Sequence, residues 1–239
     1  MNSTNFTVSA IGHITTPFRQ KFAIPRQSSL ARAKGVITLT PEFTSDAVFK
    51  GLDGFSHLWL LFMFHETLPR GWKPAVKAPR LGGNDTLGVF ASRSTHRPNG
   101  IGMSLVENCG WERHNGQLRL HVAGVDLLDA TPIVDIKPYL HYADSRENAS
   151  DPLASYMQIP NRDVTFCEST ASVLKEAQSQ YPDFESLTRN ILSQDPRPAY
   201  RQHLDNDNKT YKVILYTYDV SWRVCHGNIK VTALHAVNT

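Results

Sequence analysis

Residues 58–64 read "LWLLFMF", and few positions in a fold can accept seven consecutive apolar side chains. The run is far short of the ~20 residues that a membrane-crossing helix requires. It is apolar on both faces, so an edge strand would leave half of it in water. A central place in a sheet is what it predicts. The flanking sequence agrees. "TVSAIGHI" alternates until Thr16-Pro17 breaks it, "KGVITLT" is β-branched and stops at Pro41, and "TLGVFAS", "MSLVENCGW", "QLRLHVAGVDLLD" and "PIVDIKPYL" continue the pattern, with Gly116 in a hairpin turn. "FTSDAVFKGLDGF" has room for one short helix closed by Gly51. Several short strands at close spacing predict a mainly β, barrel-like domain over residues 1–143.

Apolar density then falls through "ADSRENASDPLAS", and residues 144–163 read as a linker. Beyond it the period changes. Phe184, Leu187, Ile191 and Leu192 share one helical face, and Val173, Leu174 and Ala177 mark an earlier helix stopped before Tyr181-Pro182. "TYKVILYTYDVSWRVCHGNIKVTAL" returns to strands around a His226-Gly227-Asn228 turn, giving a small α+β domain over residues 164–239.

With 41% hydrophobic and 20% charged residues the chain is of ordinary globular composition. Its net charge of +3 is unevenly spread: residues 1–100 hold twelve Lys/Arg against five Asp/Glu, and residues 101–239 thirteen against seventeen. A basic front half suits an anionic partner. Cys109, Cys167 and Cys225 are scattered, with no CxxC, so reduced thiols are expected rather than a disulfide framework or a thiolate zinc site. The N-terminus lacks the basic and apolar blocks of a signal peptide, and a cytoplasmic location is expected.

The usual catalytic sets are missing. His57 and His65 flank the apolar strand about 26 Å apart, too far to share one ion, and no metal is expected. No GxGxxG, Walker or GxSxG sequence occurs. Ser92, Ser94, His96 and Asp126 or Asp129 compose a triad only on paper. What stands out instead is arginine in turns. "ASRSTHRPNGIGMSL" (91–105) places Arg93, His96 and Arg97 around a Pro-Asn-Gly turn with no acid inside it. "FAIPRQSS" (22–29) repeats the recipe with Pro25, Arg26 and Gln27, and "LPRGWKPAVKAPRLGG" (68–83) mixes Arg70, Lys73, Lys77 and Arg80 with Trp72. Guanidinium forks suit carboxylate or phosphate, and a cationic loop with an aromatic suits RNA. "DLLDATPIVDIKPY" (126–139) adds Asp126, Asp129 and Asp135, acids able to grip a ribose diol. Together these motifs describe a receptacle for a zwitterionic nucleoside.

"KFAIPRQ", "FSHLWLLFMFH", "PRLGGN", "GVFASRSTHRPNGIGMSLV", "DLLDATPIVDIKPY" and "QDPRPAYR" occur in the order found in the TsaA-like family, and the chain most resembles its long bacterial members, the TrmO-type tRNA methyltransferases. One departure is Ala130, where the family usually has Gly in "DGTP". The resemblance implies a β-barrel methyltransferase of non-Rossmann type, working as a homodimer with S-adenosylmethionine. It implies that the substrate is N6-threonylcarbamoyladenosine at position 37, in the anticodon loop of a tRNA. By motif, the cofactor contacts fall on Pro25, Arg26, Gln27, Phe64, His65, Arg93, Asp129, Ala130, Thr131 and Pro132. Arg97, Lys137, Tyr139, Arg197 and Tyr200 are assigned to the RNA. The sulfonium makes its own methyl electrophilic, so the protein need only align donor and acceptor. His65 and His96 are candidates for receiving the N6 proton, with solvent as the third. Two other classes stay open on the residues alone: a sensor module that holds the cofactor or RNA without turnover, and a hydrolase built on Asp126, Asp129 and His96.

Overall fold

The structure, a computed structural model, describes residues 5–77, 86–151 and 159–237. Arg80 and the "RLGGND" stretch lie outside the described residues. Eight described strands occupy the front part: β1 (Gly12–Thr15), β2 (Lys34–Leu39), β3 (His57–Met63), β4 (Ala75–Lys77), β5 (Thr86–Gly88), β6 (Ile101–His114), β7 (Gln117–Ala123) and β8 (Thr131–Pro138). Six of them close into a barrel in the order β1-β2-β7-β6-β3-β8, every neighbour antiparallel. The apolar run takes the place its composition demands. β3 is hydrogen-bonded to β6 on one side and β8 on the other, with Leu58, Leu60 and Phe62 buried inside the barrel. A six-stranded barrel leaves an interior that side chains fill, here with Ile14, Ile37, Val106, Leu118, Leu120 and Ile133 as well.

Local chemistry explains where the pattern bends. The expected short helix is two 3₁₀ turns, Asp46–Phe49 and Leu52–Gly54, the first capped by the Ser45 hydroxyl accepting from the Ala47 amide at 3.3 Å. Gly51 at φ 84° separates them, since a left-handed residue cannot continue a right-handed turn. "TLGVFAS" forms a strand for only three residues, pairs with β4 outside the barrel, and turns into a 3₁₀ segment at Val89–Ala91.

After a single helical turn, α1 (His141–Asp144), come β9 (Val164–Phe166), α2 (Ala171–Gln180), α3 (Phe184–Ser193), β10 (Asp207–Leu215), β11 (Tyr218–Cys225) and β12 (Asn228–Ala236). The sheet order is β10-β11-β12-β9, with β9 parallel to β12. α2 stops at Tyr181, ahead of Pro182, as the pre-proline clash requires. α3 buries Phe184, Leu187, Ile191 and Leu192, the face its periodicity marks. Three residues of β9 are too few to carry a period, so the sequence hides this strand.

This sheet is joined to the barrel by direct bonds. Phe18 bridges to Leu215, the Tyr216 amide donates to Pro17 O at 2.9 Å, and Gln194 Nε2 donates to Leu30 O at 2.9 Å. Arg162, in the segment expected to be linker, is tied in as well, its Nε 2.9 Å from Asp195 Oδ2. No helix among the described residues is long and apolar enough to cross a membrane.

Candidate active site

A cavity of about 540 Å³ opens at the end of the barrel where β3 leaves and β6 enters, a size suited to a small-molecule ligand. Three chain segments converge on it. Residues 21–27 supply Lys21, Ile24, Pro25, Arg26 and Gln27; the exit of β3 supplies Phe62 to Thr67; and the arginine-rich turn leads into Ile101, Gly102, Met103 and Ser104. Asp126, Leu127, Leu128 and Thr131 complete the wall. Pro25, Arg26, Gln27, Phe64, His65, Arg93, Arg97 and Thr131, separated by up to a hundred residues in sequence, are therefore neighbours around one space.

The 21–27 segment and the arginine-rich turn are linked to each other. Arg93 Nη1 donates to Gln27 Oε1 at 2.6 Å, and Arg97 Nη1 donates to Ser92 O at 2.8 Å, which fixes both guanidiniums at the rim. Backbone strain accompanies this order: Asn99 sits at φ 63°, and Ala23 and Ser29, which bracket Pro25–Gln27, both sit at φ 67°. Behind that loop stands α3, across a small void of about 40 Å³ lined by Ala23 to Arg26 on one side and Ile159, Ile191, Gln194 and Pro196 on the other.

One wall group carries a charge inward. Ser104, 3% exposed, donates to Asp126 Oδ1 at 2.6 Å. Burial pushes the Asp126 carboxyl above the usual carboxylate range, partly offset by the Ser104 hydroxyl, the backbone amides of Asp126 and Ser28, and the Arg93 charge. Gly102 allows Phe62 and Phe64 to approach; these rings meet edge to face with centroids 5.2 Å apart. The cavity thus combines apolar and aromatic walls with two carboxylates, Asp126 in the wall and Glu66 at the mouth, and three guanidiniums, Arg26, Arg93 and Arg97. That set fits a nucleoside bearing both an ammonium and a carboxylate.

Other expected site residues stand elsewhere. Asp129 Oδ1 accepts from the Thr16 amide at 2.9 Å, Ala130 bonds Ile14 through its amide, and Pro132 pairs with His13, so these three hold the turn beside the cavity while Thr131 faces it. Ala130 has φ 60°, a conformation that favours the glycine usual at this place. Ala130→Gly is expected to raise stability by up to about 1 kcal/mol, checked by thermal melting. His96 does not line the cavity, and its Nδ1 lies 3.4 Å from Thr95 Oγ1. Of the three hydrolase candidates, only Asp126 lines the cavity.

Lys137 and Tyr139 are carried away from the cavity. Lys137 is paired with Trp59 across the β3–β8 ladder and bridges to Asp135 at 2.8 Å; it lies about 13 Å along β8 from Ile133. Tyr139 packs on Trp59 with ring centroids 6.1 Å apart. Arg197 is the clearest correction. Its side chain is 0% exposed and forks onto Asp195 at 2.7 Å, with Asp207 at 3.3 Å, so it cannot meet an RNA. Tyr200, three residues on, is 70% exposed and free to do so. Trp72 also points outward, 57% exposed, in the basic segment beside the cavity mouth.

Ser104 and Gly102 were not singled out from the sequence, although a signal exists: they share the inward parity of β6 with Val106, and an inward serine in a barrel strand asks for a polar partner.

Similarity to known proteins agrees with this geometry. Residues 13–145 match the tRNA-methyltransferase O N-terminal domain, and residues 160–237 match the TrmO C-terminal domain. A tRNA (adenine(37)-N6)-methyltransferase of Escherichia coli K12 is 43% identical over 231 residues, covering 96% of this chain and 98% of that one. A putative S-adenosylmethionine-dependent methyltransferase of Pseudomonas aeruginosa is 44% identical over 90% of this chain and 91% of its own. A crystal structure of TrmO from P. aeruginosa superposes with a TM-score of 0.80 at 38% identity, covering 98% of this chain and 99% of that one. Matched in both parts and along nearly its whole length, the chain belongs to the TrmO family of S-adenosylmethionine-dependent tRNA methyltransferases.

Proposed function

We propose that this chain transfers a methyl group to N6 of N6-threonylcarbamoyladenosine at position 37 of tRNA. The observation that carries the reading is the cavity itself, in which Arg26, Arg93, Arg97 and Lys21 stand with Asp126 and Glu66 around aromatic and apolar walls. Bound S-adenosylmethionine supplies an electrophilic methyl. The protein's part is to seat it between Pro25–Gln27 and Phe64–His65, with Arg93 near its carboxylate, and to aim N6 at it. A modified base carrying a threonyl carboxylate adds an anion to those of the phosphates, and Arg97 with the Arg70–Lys73 segment is placed to receive them. A cytoplasmic location suits activity on tRNA.

Phe90, 80% exposed, and Met103, 51% exposed, ring the same mouth. Such a rim supports a working pair in which a second copy covers it, checked by sedimentation of the purified chain. Tyr200 extends the RNA surface onto the C-terminal part. Tyr200→Ala is expected to raise the KM for tRNA several-fold, on the order of one lost base stack, with cofactor affinity unchanged by calorimetry.

The decisive experiment incubates the protein and S-adenosylmethionine with tRNA from cells unable to add this methyl. Mass spectrometry of the nucleosides should show threonylcarbamoyladenosine heavier by one methyl. A parallel tRNA without the threonylcarbamoyl group should remain unchanged; its methylation at adenine 37 would overturn the substrate assignment.

A further inference from the structure

We propose that Asp126 accepts the proton that N6 sheds during methyl transfer, with Ser104 holding its carboxylate in position. This rests on reading the cavity as the site of N6 methylation. An exocyclic adenine nitrogen has its lone pair delocalised into the ring, and an acyl substituent withdraws it further. While it keeps its proton it is a poor nucleophile, so a positioned base lowers the barrier.

Six charged or titratable side chains face the cavity besides Asp126: Lys21, Arg26, His65, Glu66, Arg93 and Arg97. The four cations have no site for another proton. His65 and Glu66 lie 3.9 Å apart, their side chains 30% and 55% exposed, and each has the other as its charged neighbour. Asp126 differs in how it is held. It sits in the wall beside buried Leu127, its Oδ1 is held at 2.6 Å by a serine that is itself 3% exposed, and Arg93 acts on it through space. Ser104 arrives from β6 and Asp126 from the segment following β7, so two elements of the barrel fix the carboxylate.

The step balances without another reactant. Asp126 takes the N6 proton as the bond from N6 to the methyl carbon forms. The carbon–sulfur bond breaks, and its electron pair returns to sulfur, discharging the sulfonium. The carboxylic acid then releases its proton to water through the open mouth.

The test measures single-turnover methylation of tRNA at saturating S-adenosylmethionine across the acid-to-neutral range. Calorimetric cofactor affinity and melting temperature are recorded alongside. Asp126→Asn keeps the shape and should slow transfer by about 10²–10⁴-fold with cofactor affinity unchanged. In the wild type, activity should fall as pH drops through the ionisation of Asp126, and burial places that limb above the ordinary carboxylate range. Ser104→Ala removes a donor that favours the charged form, so the acid limb should move to higher pH.

Loss of cofactor affinity in proportion to rate in Asp126→Asn would make Asp126 a cofactor ligand and overturn the proposal. So would a wild-type rate in that variant, or an acid limb unmoved in Ser104→Ala. Failure of the wild-type chain to methylate any tRNA is a different outcome and overturns the functional reading beneath it.

Discussion

Arg197→Ala should cost about 3–5 kcal/mol of folding stability, the range for removing one member of a buried ion pair. The arginine lies among Asp195, 0% exposed on its side chain, and Asp207, 3% exposed, and its fork also reaches Leu204 O at 3.2 Å. Its loss leaves two carboxylates in the interior with Arg162 and Arg201 as their remaining cations. Arg197→Lys keeps the charge but not the planar fork, so a large part of the loss should persist. Urea or thermal unfolding followed by circular dichroism measures both. The same cluster sets an acid limit. Burial pushes the Asp207 carboxyl up, but the Lys209 amide, the Tyr211 hydroxyl and Arg201 outweigh it and hold it at about 2. A depressed carboxyl contributes stability that is full above its ordinary value and disappears as pH falls through the folded one. The C-terminal sheet should therefore keep this contribution until pH drops from about 4 toward 2.

Gly102→Ala is the second large effect, and it acts on the cavity. A Cβ there would stand 2.4 and 2.5 Å from two atoms of the Phe62 ring and 2.9 Å from Phe64. Phe62 is 5% exposed in the packed barrel and also lines the cavity, so the rings yield most readily toward that open space. Overpacking of this kind costs about 1–3 kcal/mol of stability. Cofactor affinity should fall by about tenfold or more, equivalent to roughly 1.4 kcal/mol. Calorimetry with S-adenosylmethionine checks it, and unaltered affinity would show that Gly102 lies off the ligand's path.

How much of this was readable in advance depended on whether the signal was local. The doubly apolar "LWLLFMF" had one plausible home, and β3 occupies it between two partners. The α3 stripe and the hairpins at Gly116 and Gly227 were equally legible, because period and turn chemistry act over a few residues. The arginine turns gathered as their composition suggested. Arg197 misled for a physical reason: an arginine in a Pro-rich loop reads as surface, and its two carboxylate partners lie on either side of that loop. Lys137 stands apart from the cavity for another reason. Its motif is contiguous with Thr131, but a strand rises about 3.3 Å per residue, so neighbours in sequence reach opposite ends of a barrel. The Ser104–Asp126 bond joins residues 22 apart through strand register, which no window of sequence displays.

The segment from Pro17 to Leu30 is held between barrel and C-terminal sheet, through the Phe18–Leu215 bridge, the bond from Gln194 and the strained Ala23 and Ser29. Such a strap makes the two halves thermodynamic partners. Whatever tightens the Pro25–Gln27 loop should also delay melting of the C-terminal sheet, and loosening α3 should be felt as slack in that loop.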